Sequence, residues 1–367
     1  MFKRKIALLL ASVLIVSIGC SNGNPRDPVS DIAHSNNADQ ESSTVQESRP
    51  SQKSNDDGVG ENKPAIKITT TIFPVYDFTR AVVGDDSNIR LIVQPGASIH
   101  SFDPSPADIR LIGDADVFIQ IGGGLDAWAD RLLSSIDTSS KTVLRLSAHV
   151  TMLREEVVEG MESDHDHDDH NDHSHDHDDG HAHDDDHDAP DIEYDEHIWT
   201  SPNNVILMVR AIADTLSGLD PANAERYHSN AESYITELQA LDAEFSAVVS
   251  TAARNKIVVA DKFPFQYLVH EYGLAYCAAF PGCSDQTDAS VATIAHIVNT
   301  VQDENIAFVY HVELSSQNVA RLVSEQTGAE LLMLHSIQNV SKEEFDAGET
   351  YLSLMRHNVE SLAKGLS

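Results

Sequence analysis

Positive charge is what this sequence has least of: 24 Lys and Arg face 59 Asp and Glu over 367 residues, a formal net charge of −35. Such a balance repels a phosphate backbone, and no local basic patch relieves it, so a nucleic-acid partner is excluded. Cysteine is scarce too, and three of them cannot build a disulfide scaffold. No apolar run reaches the eighteen or so residues that a membrane-spanning helix needs. There is no Gly-x4-Gly-Lys-Ser/Thr phosphate loop, which excludes a nucleotide-driven motor in this chain, and no His-Glu-x-x-His run of a zinc protease. Gly122-Gly123-Gly124 stands without the basic residue of a phosphate cradle and reads as a tight turn after a strand. What remains is 41% hydrophobic, enough for packed cores and two domains of ordinary size.

The first segment places the chain outside the cytoplasm. Lys3, Arg4 and Lys5 precede an apolar run from Ile6 to Ile18, then Gly19 and Cys20. That run spans only about 20 Å as a helix, so residues 1–19 read as a secretory signal. The small residue before Cys20, with Ser21 behind it, resembles a bacterial lipobox, although Ser17 stands where an aliphatic is usual. Cys20 is therefore the expected lipidation site and membrane anchor, with plain secretion into the periplasm or medium as the alternative. Residues 20–64 are Ser, Asn, Asp, Gln and Pro rich and form a tether, whose end-to-end distance as a flexible chain is roughly 35–40 Å.

Short β-prone runs at Ile66 to Thr71, Ile89 to Val93, Val117 to Ile121 and Thr142 to Leu146 alternate with helical stretches such as Tyr76 to Val83 and Asp126 to Ser134. The same rhythm returns at Lys256 to Ala260, Leu274 to Ala279, Ile306 to Tyr310 and Glu330 to Leu334, with helices over 289–304 and 317–327. The pattern predicts an α/β protein of two lobes, each a small parallel sheet flanked by helices, over 65–202 and 255–367. Between them, 203–254 is a helical connection containing a long backbone helix at 221–253, opened by Asp220 as N-cap and Pro221 in the first turn. Its stripe of Tyr227, Ala231, Tyr234, Leu238, Leu241, Phe245, Val248 and Ala252 steps by four and three, which a coiled-coil dimer would also show. The preferred reading is a spine crossing both lobes of a monomer.

Three histidines sit where α/β sheets place ligand-binding groups. His100 lies in the loop from Gln94 to Pro106 that follows a strand, His197 lies in Asp195-Glu196-His197-Ile198-Trp199 just before a helix, and His335 follows a strand of the second lobe. Asp195 and Glu196 could orient the His197 ring through its second nitrogen. Each alone would read as structural; together, at strand ends of two lobes, they point to one metal site in the crevice.

Thr69 to Phe78, the loop from Pro95 to Pro106 with His100, Gly124 to Trp128, and Asp195 to Pro202 resemble the zinc and manganese binding lipoproteins of ABC importers, the ZnuA and TroA type, over residues 65–365. The resemblance implies two lobes joined by a backbone helix, one metal held between them, and His100 and His197 as its first two ligands. It also places the family's third His at Lys262, whose ammonium cannot ligate while protonated, and the usual Asp of the last motif at His335. Glu313 aligns with a pocket Glu and is the candidate fourth ligand, with water in that position as the alternative and Asp261 and His311 behind it. Lys262 reads otherwise as a solvated or salt-bridged side chain. Three imidazoles and one oxygen suit tetrahedral Zn²⁺, ahead of Mn²⁺ or Fe²⁺.

Residues 162–189 are the most biased segment: within 164–188 stand 12 Asp, 9 His and no Lys or Arg. Such a stretch cannot pack and reads as a mobile loop, in which His165, His167, His170, His173, His175, His177, His181, His183 and His187 would collect Zn²⁺ weakly. Cys277 and Cys283 are expected to pair in an oxidising compartment, with a thiolate zinc site as the competing reading. The function expected is that of an extracytoplasmic zinc receptor that delivers to an ABC permease and is not an enzyme. A manganese or iron receptor, a surface adhesin and, last, a zinc hydrolase are the alternatives.

Overall fold

The structure is a computed structural model that describes residues 65–85, 87–99, 102–161, 194–284 and 288–367. The signal, the tether, Cys20, His100 and the nine histidines of the acidic loop all lie outside the described residues. Among the described residues no helix is long and apolar enough to cross a membrane.

In the first lobe β1 (Ile68–Thr70), β2 (Ile89–Leu91), β3 (Val117–Gln120) and β4 (Thr142–Arg145) form a parallel sheet in the order β2-β1-β3-β4. Its register sets Ile68 beside both Ile89 and Val117. In the second, β5 (Lys256–Phe263), β6 (Ala275–Pro281), β7 (Phe308–His311) and β8 (Glu330–Met333) repeat the plan as β6-β5-β7-β8. The two lobes share a topology that no sequence repeat announces. Central strands read as unbroken apolar runs because helices cover both faces, and all four residues of β3 are buried. β5 and β6 lose register between Val259 and Lys262, which bends the strand end that carries Asp261 and Lys262.

Crossovers are helical: α1 (Phe73–Val83), α2 (Pro106–Asp114) and α3 (Ala127–Ser135) in the first lobe. A connection of α4 (Pro202–Leu219) and α5 (Ala224–Thr251) follows, then α6 (Gln266–Tyr272), α7 (Val291–Asp303), α8 (Asn318–Thr327), α9 (Lys342–Ala347) and α10 (Tyr351–Gly365). The spine is shorter than its pattern implies. Residues Pro221–Asn223 form a 3₁₀ turn, and Asp220 does not cap the helix. Its carboxylate accepts from the Asn223 amide at 2.7 Å and the Tyr227 hydroxyl at 3.2 Å, leaving the first turn to tighten. The 28 residues of α5 span about 42 Å. Its buried stripe of Tyr227, Ala231, Ile235, Leu238, Leu241 and Phe245 packs on α1, α4 and α10 of its own chain.

One apolar cluster runs through both lobes, from Phe78 and Trp199 to Phe245, Phe263 and Tyr351, with satellites under α2–α3 and α7–α8. Polar ties cross the same boundary. The buried Asp77 carboxylate on α1 accepts from the Tyr351 N–H of α10 at 2.9 Å. Tyr351 in turn donates its hydroxyl to the Trp199 carbonyl at 2.7 Å. The lobes are thus halves of one packed body with a crevice between them.

Candidate metal centre

Asp195 to Thr200 enters the body as the chain returns to the first lobe, and the backbone itself sets up His197. The Asp195 carboxylate accepts from the His197 backbone N–H at 2.8 Å, and the same oxygen lies 3.1 Å from Nδ1. An ionised carboxylate can only accept, so it holds the ring in the tautomer with the proton on Nδ1 and the lone pair on Nε2. Nε2 is fully buried and has no hydrogen-bond partner among the described residues. The ring is 0% exposed, edge-on to Trp199 at 5.3 Å. Opposite stands Gly282, where a Cβ would fall 2.9 Å from His197 Cε1 and 3.0 Å from the Phe263 carbonyl; only glycine lets the second lobe approach this closely.

The neighbouring acid serves as a strut. Glu196 reaches back to accept from the backbone N–H groups of Gly124 and Leu125, at the turn where Gly122 and Gly123 both have φ of +90°. That turn is the one expected after the third strand. Burial pushes the Glu196 carboxyl up, more than its hydrogen bonds lower it. Tyr267 completes the frame from the second lobe, donating to the Asp195 carbonyl at 2.7 Å and accepting from the Leu153 N–H at 2.9 Å.

Across the crevice the second lobe brings His335 and Glu313 together, with Glu313 Oε2 3.6 Å from His335 Nδ1. Both are already committed to protein partners. Glu313 accepts from the Ser336 N–H at 2.7 Å and from the Ser336 hydroxyl. His335 Nδ1 accepts from the Ile337 N–H at 2.9 Å, which puts the ring proton on Nε2, 3.5 Å from Glu344 of α9. Burial opposes a charged ring here, and Glu313, Glu344 and Glu349 outweigh it, so the His335 pKa is raised. The His335 ring beside it in turn holds Glu344 down to about 2. A ligand role for His335 therefore requires its ring to release Ile337 and turn. The segments of His197 and His335 are nevertheless joined directly, by the Trp199 indole N–H donating to the Ser336 carbonyl at 2.8 Å.

The outlying candidates serve the backbone. Asp261 accepts from the N–H groups of Lys262 at 2.9 Å and Val312 at 3.3 Å, and His311 Nδ1 lies 3.0 Å from the Val312 carbonyl. Lys262 is half-buried, and its ammonium has no ion-pair or hydrogen-bond partner among the described residues. Of the loop carrying His100, the described part is pinned to the second lobe. Gly96, at φ 82°, donates to the Val340 carbonyl at 2.7 Å, and Asn339 donates to the carbonyls of Gln94 and Ala97. Between these walls lies a cleft of about 520 Å³ that Gly96 to Ile99, Asp261, Lys262, Gly282, Glu313 and Ser336 help to line. Among the described residues no three His, Cys, Asp or Glu side chains are grouped as a metal site.

One expectation is corrected outright: Cys277 and Cys283 are free thiols. Cys277 lies in β6 and faces α7, where Thr300 meets its sulfur, whereas Cys283 lies beyond the strand end beside Glu196. The four strand residues to Pro281 alone advance about 13 Å, and a disulfide bridges Cα atoms at most about 7 Å apart. Burial raises both thiols, that of Cys277 to about 11. Nothing in the sequence marks Gly282, 85 positions from the ring it accommodates, or the Glu196 strut to Leu125.

The ZnuA family, described as zinc-uptake complex component A periplasmic, matches residues 68–365. The zinc-binding lipoprotein AdcA of Streptococcus pneumoniae is 33% identical over 297 residues, covering 81% of this chain and 55% of AdcA; the chain thus spans about half the length of that relative. The high-affinity zinc uptake system protein ZnuA of Bacillus subtilis is 28% identical over 301 residues, covering 82% of this chain and 88% of ZnuA. Among solved structures, the Zn(II)-bound ZnuA-like domain of S. pneumoniae AdcA superposes with a TM-score of 0.65 at 28% identity, over 82% of this chain and 98% of that domain. The metal-dependent lipoprotein YcdH of B. subtilis gives 0.66 at 25% identity, over 83% and 100%. The chain belongs to the ZnuA family.

Proposed function

We propose that this protein is an extracytoplasmic zinc receptor: it captures Zn²⁺ between its lobes and hands the ion to the permease of an ABC importer. It works as a monomer held at the membrane by lipid on Cys20, and it catalyses no reaction. The observation that carries this reading is His197, whose Nδ1 faces a carboxylate and whose Nε2 lone pair is buried without a partner among the described residues. A buried polar atom left unpaired is costly, and a borderline cation that binds imidazole nitrogen removes the cost. The relatives named for zinc binding and zinc uptake support the choice of metal. His100 would ligate from the facing loop, with His335 or Glu313 completing the sphere after the rearrangement described above.

The test is metal content and competition affinity of the purified protein beside His197→Ala. One tightly held zinc per chain is expected in the wild type. The variant should lose that tight site with its circular dichroism unchanged. Undiminished tight binding in His197→Ala overturns the assignment, and a wild type indifferent to chelators overturns the receptor.

A further inference from the structure

We propose that Asn339 is a positioning residue of the metal site: from the second lobe it fixes the first-lobe loop that leads into His100, and so sets the distance across which ligands of the two lobes meet. This deepens the zinc-receptor reading and rests on it.

The direction of three hydrogen bonds is the first ground. Asn339 is 6% exposed, at the wall of the cleft beside Gly96, Ala97 and Ile99. Its Oδ1 accepts from the Val340 N–H at 2.8 Å, and its Nδ2 donates to the Gln94 carbonyl at 3.1 Å and to that of Ala97. With an N–H on one side and two carbonyls on the other, only this orientation of the amide satisfies all three partners. One side chain thus commits both its protons to the backbone of the other lobe, 245 and 242 positions away in the chain.

The second ground is the loop those carbonyls belong to. The Val93 N–H still bonds the Thr71 carbonyl at 2.9 Å, and beyond it the chain leaves its own sheet. Gly96, at φ 82°, turns it, and the Gly96 N–H donates to the Val340 carbonyl at 2.7 Å. Residues 94–97 are therefore held at three points by two consecutive residues of the second lobe. Ile99 then enters the core, 5% exposed. His100 follows Ala97 by three residues, at most about 10 Å of chain.

The place of Asn339 in its own lobe is the third ground. It stands four residues after His335, whose N–H and carbonyl are both bonded to the Asn358 amide, at 2.7 and 2.8 Å. Between them, the Ser336 carbonyl accepts from the Trp199 indole, two residues after His197. The short stretch from His335 to Val340 is thus bonded to the chain beside each of the other two candidate imidazoles. Ligands must be held within about 0.5 Å of their productive geometry, and a partner behind the ligand that does so is typically worth about 10–100-fold in metal affinity.

The experiment is a double-mutant cycle of zinc affinity, by chelator competition on the full chain, in wild type, Asn339→Ala, His100→Ala and the pair. Asn339→Leu is run beside Asn339→Ala, because it keeps the branched shape of the side chain and makes no hydrogen bond; it carries the cycle if the smaller residue does not fold. Each Asn339 variant is expected to weaken zinc by about 10–100-fold with its circular dichroism unchanged. In the His100→Ala background the same substitutions should weaken it by less than about twofold, since the group that Asn339 positions is already gone. A general loosening of the fold would act by the same factor in both backgrounds, and that result overturns the inference, as does wild-type affinity in the Asn339 variants. His100→Ala binding as tightly as the wild type also overturns it, and leaves the receptor standing on His197. A wild type that holds no zinc overturns the receptor itself.

Discussion

At His197 a single carboxylate oxygen of Asp195 receives both the backbone N–H and the ring Nδ1 of the same residue. Rotation and tautomer are therefore fixed before any metal arrives. Loss of such an outer partner typically weakens metal binding about 10–100-fold. Asp195→Ala should fall in that range by chelator competition, whereas Asp195→Asn, whose amide oxygen still accepts from Nδ1, should fall much less. Equal losses in the two variants would mean that charge, and not orientation, is what Asp195 supplies. This part of the site was legible in the sequence, because the acids stand next to the ring. His335 was legible only as a residue type. Its partners Glu344 and Glu349 come from α9 and the turn after it, elements that no apolar period marks.

The eight strands could be read because parallel strands buried on both faces are continuous apolar runs, and each end lies within three residues of its expected place. Helices were less legible. Ser105-Pro106-Ala107-Asp108 is a capping box that starts α2, inside the loop expected after His100. The buried stripe of α5 shifts from Tyr234 to Ile235 because three helices surround it on different sides. Element ends also carry titrating groups, and the turn after β3 is the sharpest case. Asp126 accepts there from the N–H groups of Ile121 at 2.7 Å and Gly122 at 3.1 Å, while its other oxygen is buried without a partner among the described residues. Burial pushes its pKa from 3.8 up to about 6. The folded state then binds the proton more tightly than the unfolded chain, so this group's contribution is full below about pH 4 and is lost as pH rises to about 6, roughly 3 kcal/mol in all. Asp126→Asn keeps an acceptor oxygen and cannot ionise. In urea unfolding with chelator present, the wild type should lose about 3 kcal/mol more than the variant between pH 4 and pH 7. Identical pH dependence would show that Asp126 ionises as freely in the turn as in the unfolded chain.

The whole molecule divides by charge as well as by fold. The body is one core with a crevice, tied across by Tyr351, Tyr267, Trp199 and Asn339. The acidic loop holds 12 Asp and 9 His between residues 164 and 188, about a third of the net −35. At its base, an antiparallel bridge pairs Arg154 with Tyr194, and the Asp195 N–H donates to the Leu153 carbonyl at 2.9 Å. The strut that positions His197 is thus closed independently of the loop. Removing residues 164–188 should leave the Asp195–His197 geometry and one tight zinc site intact. The weaker sites that calorimetry finds in the full chain should disappear with the loop. In the full chain those sites should also fade as pH drops through about 6.5, where free imidazoles take up protons in place of metal. If the deletion abolishes the tight site instead, loop histidines belong to the primary coordination sphere, and the division between collector and receptor has to be redrawn.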